Sequence, residues 1–328
     1  MARVKNKKIC LLLAGGTILS EKDKESVKKK EDIAGWVARM PELLIMGELE
    51  PVFVYGEEEA PSGKELWQKL AQEIFFRLNN YDGFIITSRV DEILFTAIAA
   101  SFAITNLNKP VVFTGSQLPL VDKELVSNKK KSFGGLGVKS NLINAVQVAT
   151  MDFPAVGLMF GNSFLRAVKA RRSAVYDLNI FASVDGKYLA KIDFGISPQE
   201  RVEKPAGQPF LRDKFDDNIA QIKYFPGFKM SKMKMDFSKA HGLLVGSLPI
   251  EPFSNEFLKE LTGLKMPVVV HNRFYVPRLN RNNIIEMSNI SKEAALVKFM
   301  WALGQTNDIA QIRSMMLNQS CGEFITNL

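Results

Sequence analysis

The chain has 328 residues, 46% hydrophobic and 24% charged, the balance of a globular protein with a buried core and too long for one small domain. That excludes a disordered tail, a collagen-like repeat and a small disulfide scaffold, and two isolated cysteines, Cys10 and Cys321, suit a reducing compartment. Forty-three Lys and Arg against thirty-five acids give a formal charge of +8, which raises the question of nucleic acid. The excess sits in short clusters, at Lys28 to Lys30, Lys129 to Lys131, and Lys229, Lys232 and Lys234. None is set in a zinc-finger, helix-turn-helix or aromatic-interleaved pattern, so solvated loops are expected and a nucleic-acid partner is not.

The first apolar run, Ile9 to Leu13, has the length of a strand and stops at Ala14-Gly15-Gly16, too early for a signal peptide. No run approaches the ~20 residues of a membrane helix, so a cytoplasmic protein without membrane contact is expected. Val52 to Tyr55 reads as a second strand, and Gly63 to Asn79 as a helix with apolar Leu66, Leu70, Ile74 and Phe75. Then follow a strand (Gly83 to Thr87), a helix (Asp91 to Asn106), a strand (Pro110 to Thr114), a helix (Ser140 to Thr150) and a strand (Ala155 to Phe160). Gly134 to Gly137 reads as a flexible insertion.

The stretch from Ser197 to Asp217 is charged, carries Pro198, Pro205 and Pro209, and reads as a linker. Beyond it, strands at Ile219 to Phe225, Gly242 to Val245 and Pro267 to Val270 alternate with a helix at Asn255 to Leu261. A final helix, Lys292 to Leu303, is capped by Ser291. Continuous apolar strands alternating with helices predict an α/β protein: a larger, mainly parallel sheet with helices on both faces over 1–196, and a smaller α/β domain over 218–328. In such sheets ligands bind at the carboxyl ends of the strands.

Five segments in order carry a family resemblance: Leu13-Ala14-Gly15-Gly16-Thr17-Ile18, Tyr81 to Phe84 with Ser88 to Glu92, Lys109 to Leu120, Ser140 to Ala145, and Ser291 to Gln305. Together they resemble the bacterial-type L-asparaginase family, nearest its cytosolic type I branch. The resemblance implies a two-domain asparaginase-like fold, a homodimer or homotetramer, and hydrolysis of a side-chain amide without metal or organic cofactor. It also implies a threonine nucleophile, a lid tyrosine that activates it, a second threonine with an aspartate and a lysine, and a serine that holds the substrate carboxylate.

Several of these positions differ here. The resemblance puts Ala14 where the nucleophile is expected and Val90 at the second threonine, while Asp91 remains. The lid segment, Ser20 to Asp32, has no tyrosine. The family lysine falls on Arg172, or alternatively on Lys169; arginine stays protonated and cannot relay a proton. Glu57-Glu58-Glu59-Ala60 stands near the carboxylate-binding serine, and the loop that closes the neighbouring subunit's site falls on Leu248 to Glu251. Losing several members of one catalytic set points to loss of the reaction.

The expected reading is therefore a pseudoenzyme that keeps a ligand-binding or structural role. Gly15, Gly16, Glu59, Ala60, Asp91 and Ser116 would line a pocket for an amino-acid-like molecule. The alternative is an active asparaginase or glutaminase through displaced residues such as Thr17. Thr17 and the glycines before it are equally compatible with a structural turn, and Asp91 with a helix cap. Salt bridges among Arg89, Arg172, Glu57 to Glu59 and Asp91 would fill the old pocket. His241, His271, Asp122, Asp177 and Asp185 are expected to be structural or solvated.

Overall fold

The computed structural model describes residues 7–16, 27–56, 59–115, 136–173, 179–193, 195–233, 235–246, 253–272 and 281–325. Among the expected site residues, Thr17, Glu57, Glu58, Ser116 and Leu248 to Glu251 lie outside them, as do most of the lid, Asp122, Asp177 and the Lys129 to Lys131 cluster. The chain divides into two compact units, Met1–Leu211 and Arg212–Leu328.

The first unit is built on β1 (Lys8–Ala14), β2 (Glu48–Tyr55), β3 (Gly83–Ser88), β5 (Val111–Thr114) and β6 (Val156–Phe160), which pair in parallel in the order β6-β5-β3-β1-β2. An antiparallel edge of β7 (Ser163–Arg166), β10 (Ala190–Ile192) and β11 (Ile196–Pro198) extends the sheet to eight strands. Strands β1, β3 and β5 are buried along their length, which explains why their sequences are continuous apolar runs rather than alternating ones. Successive side chains face opposite sides of the sheet. Ile9, Leu11, Leu13, Ile85 and Val112 share one core with Leu142, Ala145 and Val146 of α5 (Leu136–Ala149) and with Trp36 of α1 (Ile33–Ala38). On α3 (Lys64–Arg77), Leu66, Leu70 and Ile74 are buried. The helix α4 (Ile93–Ala103) is buried almost all round, so its sequence is apolar on every face.

Three expectations shift. The helix α5 begins at Leu136, inside the segment read as a flexible insertion. A short α2 (Leu43–Met46), a two-residue β4 (Ile104–Thr105), and the pair β8 (Ala170–Arg172) and β9 (Phe181–Ser183) carry no pattern long enough to be seen in sequence. The stretch read as a linker is partly sheet: Pro198 pairs with Ala190 on the edge strand β11, where a missing N–H is tolerated, and Phe210 in β12 (Phe210–Leu211) pairs with Thr105. The two units part after Leu211.

The second unit holds a four-stranded parallel sheet, β13 (Ile219–Lys223), β14 (Gly242–Gly246), β15 (Val268–His271) and β16 (Ile284–Met287), in that order. Its helices are α6 (Asn255–Thr262), α7 (Lys292–Gln305) and α8 (Ile309–Leu317). Ser254, Ser291 and Asp308 cap them, each accepting a first-turn amide as the sequence leads one to expect of these residue types. Within this unit Lys298 on α7 is fully buried and ion-paired with the equally buried Glu323 at 2.6 Å.

Candidate functional site

The chain runs from β1 out to β2 on one side and then returns to β3, β5 and β6 on the other. The crevice between the carboxyl ends of β1 and β3 is therefore the topological switch point, where open α/β sheets bind ligands. Ala14-Gly15-Gly16 leaves β1 there, and Ser88-Arg89-Val90-Asp91 leaves β3. A register slip between Leu13 and Ala14 marks the same end, with Ala14 opposite both Tyr55 and Ser88.

Backbone packing requires glycine here. Gly15 and Gly16 have φ of 81° and 65°, a region that glycine enters without strain. A Cβ on Gly16 would stand 2.1 Å from the Ser88 carbonyl oxygen, and one on Gly115, just past β5, 2.4 Å from the same oxygen. Three loops thus meet on one carbonyl. Asn141 fixes the neighbouring turn: its Nδ2 donates to the Gly115 carbonyl at 3.2 Å and its Oδ1 accepts the Gly161 amide at 2.9 Å. Thr87 and Ser88 bury hydroxyls that have no hydrogen-bond partner among the described residues, an unusual cost for side chains so enclosed.

Across the crevice lies Arg89. Its Nη1 donates to the Ala60 carbonyl at 3.3 Å, its Nη2 to Ser62 Oγ at 3.1 Å, and its Nε to Asp91 Oδ1 at 3.4 Å. Glu92 is 4.0 Å from the same guanidinium and also accepts the Gly63 amide at 3.3 Å. Because β1 sits between β3 and β2 in the sheet, this brace joins the two loops that flank Ala14-Gly15-Gly16. Of the ion pairs expected among these residues, the one between Arg89 and Asp91 is present, with the Asp91 side chain 65% exposed.

The rest of that expectation does not hold among the described residues. Arg172 is exposed on β8, opposite Phe181, and forms no ion pair there. Lys169 instead is nearly buried and pairs with Asp185 at 2.9 Å. Of the two roles expected for Asp185, structural or solvated, it takes the structural one: it also accepts from Ser183 Oγ and the Lys187 amide. Burial works to raise its carboxyl, but the Ser183 hydroxyl, the Lys169 ammonium and the Lys187 amide outweigh this and hold it below the usual range. Glu59 is exposed, Ala60 is buried, and Ala14 is wholly enclosed at the end of β1.

Asp91 does not cap the following helix: α4 begins after Glu92, and the Asp91 side chain is 65% exposed. Val90 is half-buried and contributes no hydroxyl to the site. Ser62 escapes a reading by motif, since nothing in its own neighbourhood shows that Arg89, 27 positions on, will reach it. His271 is buried, with burial pulling its imidazole down against a 3.0 Å bond from Nε2 to the Ile290 carbonyl. His241 is 2.5 Å from Asp216. Among the described residues no His, Cys, Asp and Glu cluster has the arrangement of a metal site, and no helix is long and apolar enough to cross a membrane.

Residues 8–203 match the family model described as asparaginase, N-terminal. The chain is 26% identical over 278 residues to an L-asparaginase of Thermococcus kodakarensis, covering 79% of this chain and 81% of that protein. It is 24% identical to a glutamyl-tRNA(Gln) amidotransferase subunit of Pyrococcus horikoshii, over 96% of this chain and 76% of that one. Its fold is similar to the crystal structure of L-asparaginase I from Vibrio cholerae, with a TM-score of 0.78 at 24% identity over 98% of this chain and 99% of the other.

Proposed function

Because the chain belongs to the asparaginase family, we propose that it keeps the family scaffold and a small-molecule crevice between β1 and β3 but has lost the family's amide hydrolysis. The Arg89 brace carries this reading. It ties Ala60 and Ser62 to Asp91 across the place where the resemblance sets substrate. A guanidinium already bonded to three groups stabilises the closed arrangement, whereas an active amidase needs that space for the reacting amide and an activated hydroxyl. Val90 has no hydroxyl to support such a nucleophile, and Arg172 stands exposed on β8. We read the protein as a cytoplasmic homodimer or homotetramer, which sedimentation velocity tests directly.

The enzymatic test is ammonia release from L-asparagine and L-glutamine by concentrated purified protein, with Thr17→Ala as the contamination control. The expected result is no release above that control. Saturable release that disappears in the Thr17→Ala protein overturns the proposal and establishes the second reading, an amidase acting through Thr17. That reading is favoured by one observation: Gly16, the residue before Thr17, is pressed onto the Ser88 carbonyl at the mouth of the crevice. The likeness to an amidotransferase subunit along nearly the whole chain fits an amidase that serves a larger assembly.

A further inference from the structure

Away from the crevice, the second unit carries a solvent-open pocket of about 730 Å3 between the end of α6, the residues leading into β16 and the first turn of α8. This is the size of pockets that hold small organic ligands. Leu264 and Ile309 give it an apolar side, and Arg281, Arg313, Asn282 and Asn283 a polar one. Among the described residues that line it there is no carboxylate. Acids on the adjoining elements are already engaged: Asp308 accepts the Ala310 amide at 2.8 Å, Glu286 lies 3.5 Å from Arg313, and Glu260 accepts the Met230 and Ser231 amides.

The walls are fixed before any ligand arrives. Asn283 Nδ2 donates to the carbonyls of Leu261 and Leu264, both at 3.1 Å. Arg313 Nη1 donates to the carbonyls of Ile284 and Arg281, so one arginine holds the backbone that carries the other. Arg281 itself is exposed, and among the described residues its guanidinium makes no hydrogen bond or ion pair. A free guanidinium fork matches the paired oxygens of a carboxylate or phosphate.

We propose that this pocket is a second binding site, which takes a small organic oxyanion, with its charged group on Arg281 and its apolar body against Leu264 and Ile309. Phosphate monoesters and aryl carboxylates share that chemistry, and titration calorimetry of the full-length protein with AMP and with benzoate distinguishes them. At least one probe is expected to bind saturably, and to bind about tenfold or more weakly to Arg281→Ala, the loss of one charge-assisted pair. Lys239→Ala, which removes an exposed lysine of the same unit, is expected to leave binding unchanged. Saturation by AMP alone assigns a phosphate ester, and by benzoate alone a carboxylate. Absence of saturable binding by both probes overturns the site, as does equal binding by wild type and Arg281→Ala. Both variants change exposed side chains, so circular dichroism suffices to show that each is folded.

Discussion

Arg89 Nη2 donates to Ser62 Oγ at 3.1 Å, joining two residues that leave different strands on opposite sides of β1. The bond matters because its partners are not held together by anything local: they are 27 positions apart in the chain, with all of α3 and β3 between them. Removing the side chain should free the Ala60 to Ser62 loop without disturbing the sheet beneath. Arg89→Ala is therefore expected to lower stability by only about 1–2 kcal/mol, the loss of a few partly exposed hydrogen bonds. Amide exchange in the Ala60 to Ser62 loop should quicken while that of Ile85 and Ile86 stays slow. Global loosening of β3 in the exchange data would show that the brace is structural rather than local.

Gly16 offers a sharper contrast. It combines a positive φ with a Cβ position 2.1 Å from a backbone oxygen, whereas Gly186 has φ of 73° but open space around it. Gly186→Ala should cost about 1 kcal/mol, the conformational term alone. Gly16→Ala adds a clash with main chain that cannot rotate away, so a loss of more than ~2 kcal/mol is expected. Urea unfolding of the two variants in parallel measures the difference. Equal losses would mean that the β1 and β3 loops part easily, and that the crevice is less rigid than its packing implies.

Much of this frame is legible in the amino-acid sequence. The runs Ile9 to Leu13, Gly83 to Thr87 and Pro110 to Thr114 form the strands β1, β3 and β5, side by side, because strands buried on both faces must be apolar throughout. Their loops meet at one carbonyl, as the rule for carboxyl ends of parallel strands leads one to expect. What escapes depends on closeness in space without a local pattern. Arg172 stands in sequence where the resemblance sets a catalytic lysine, yet Lys169, three residues earlier, is the one turned into a buried pair. The strands β7 to β11 are three to four residues long, too short for period-two alternation to rise above chance. The linker reading fails at its start because an edge strand accepts proline.

Lys298 gives a prediction about stability in the second unit. Its ammonium donates to Glu323 at 2.6 Å and to the carbonyls of Met316 and Asn318 at 2.9 and 2.7 Å, and lies 4.6 Å from the Phe324 ring. Burial works to raise the Glu323 carboxyl, but the Lys298 ammonium and the Cys321 amide hold it below its usual range. Lys298→Met fills similar volume but leaves a buried carboxylate without its cation, expected to cost about 3–5 kcal/mol. Adding Glu323→Gln to that variant should recover part of the loss. A single variant as stable as wild type in urea would show that the pair contributes little to holding residues 316–325 onto α7.

Acid stability tests the other buried pair. Asp185 has its carboxyl held low in the folded state by Ser183, Lys169 and the Lys187 amide. The unfolded chain binds that proton more readily, with a carboxyl pKa near ~3.9. The stabilisation is therefore complete above that value and is lost as pH falls through the lower folded one. Wild type is expected to keep a flat melting temperature from pH 7 to about 5 and then to lose it steeply below about pH 4. In Asp185→Asn the group no longer titrates, so the melting temperature should start lower and fall less over the same interval. Parallel curves for the two proteins would remove Asp185 from the acid response and leave the turn at Ser183 to Lys187 held by its backbone alone.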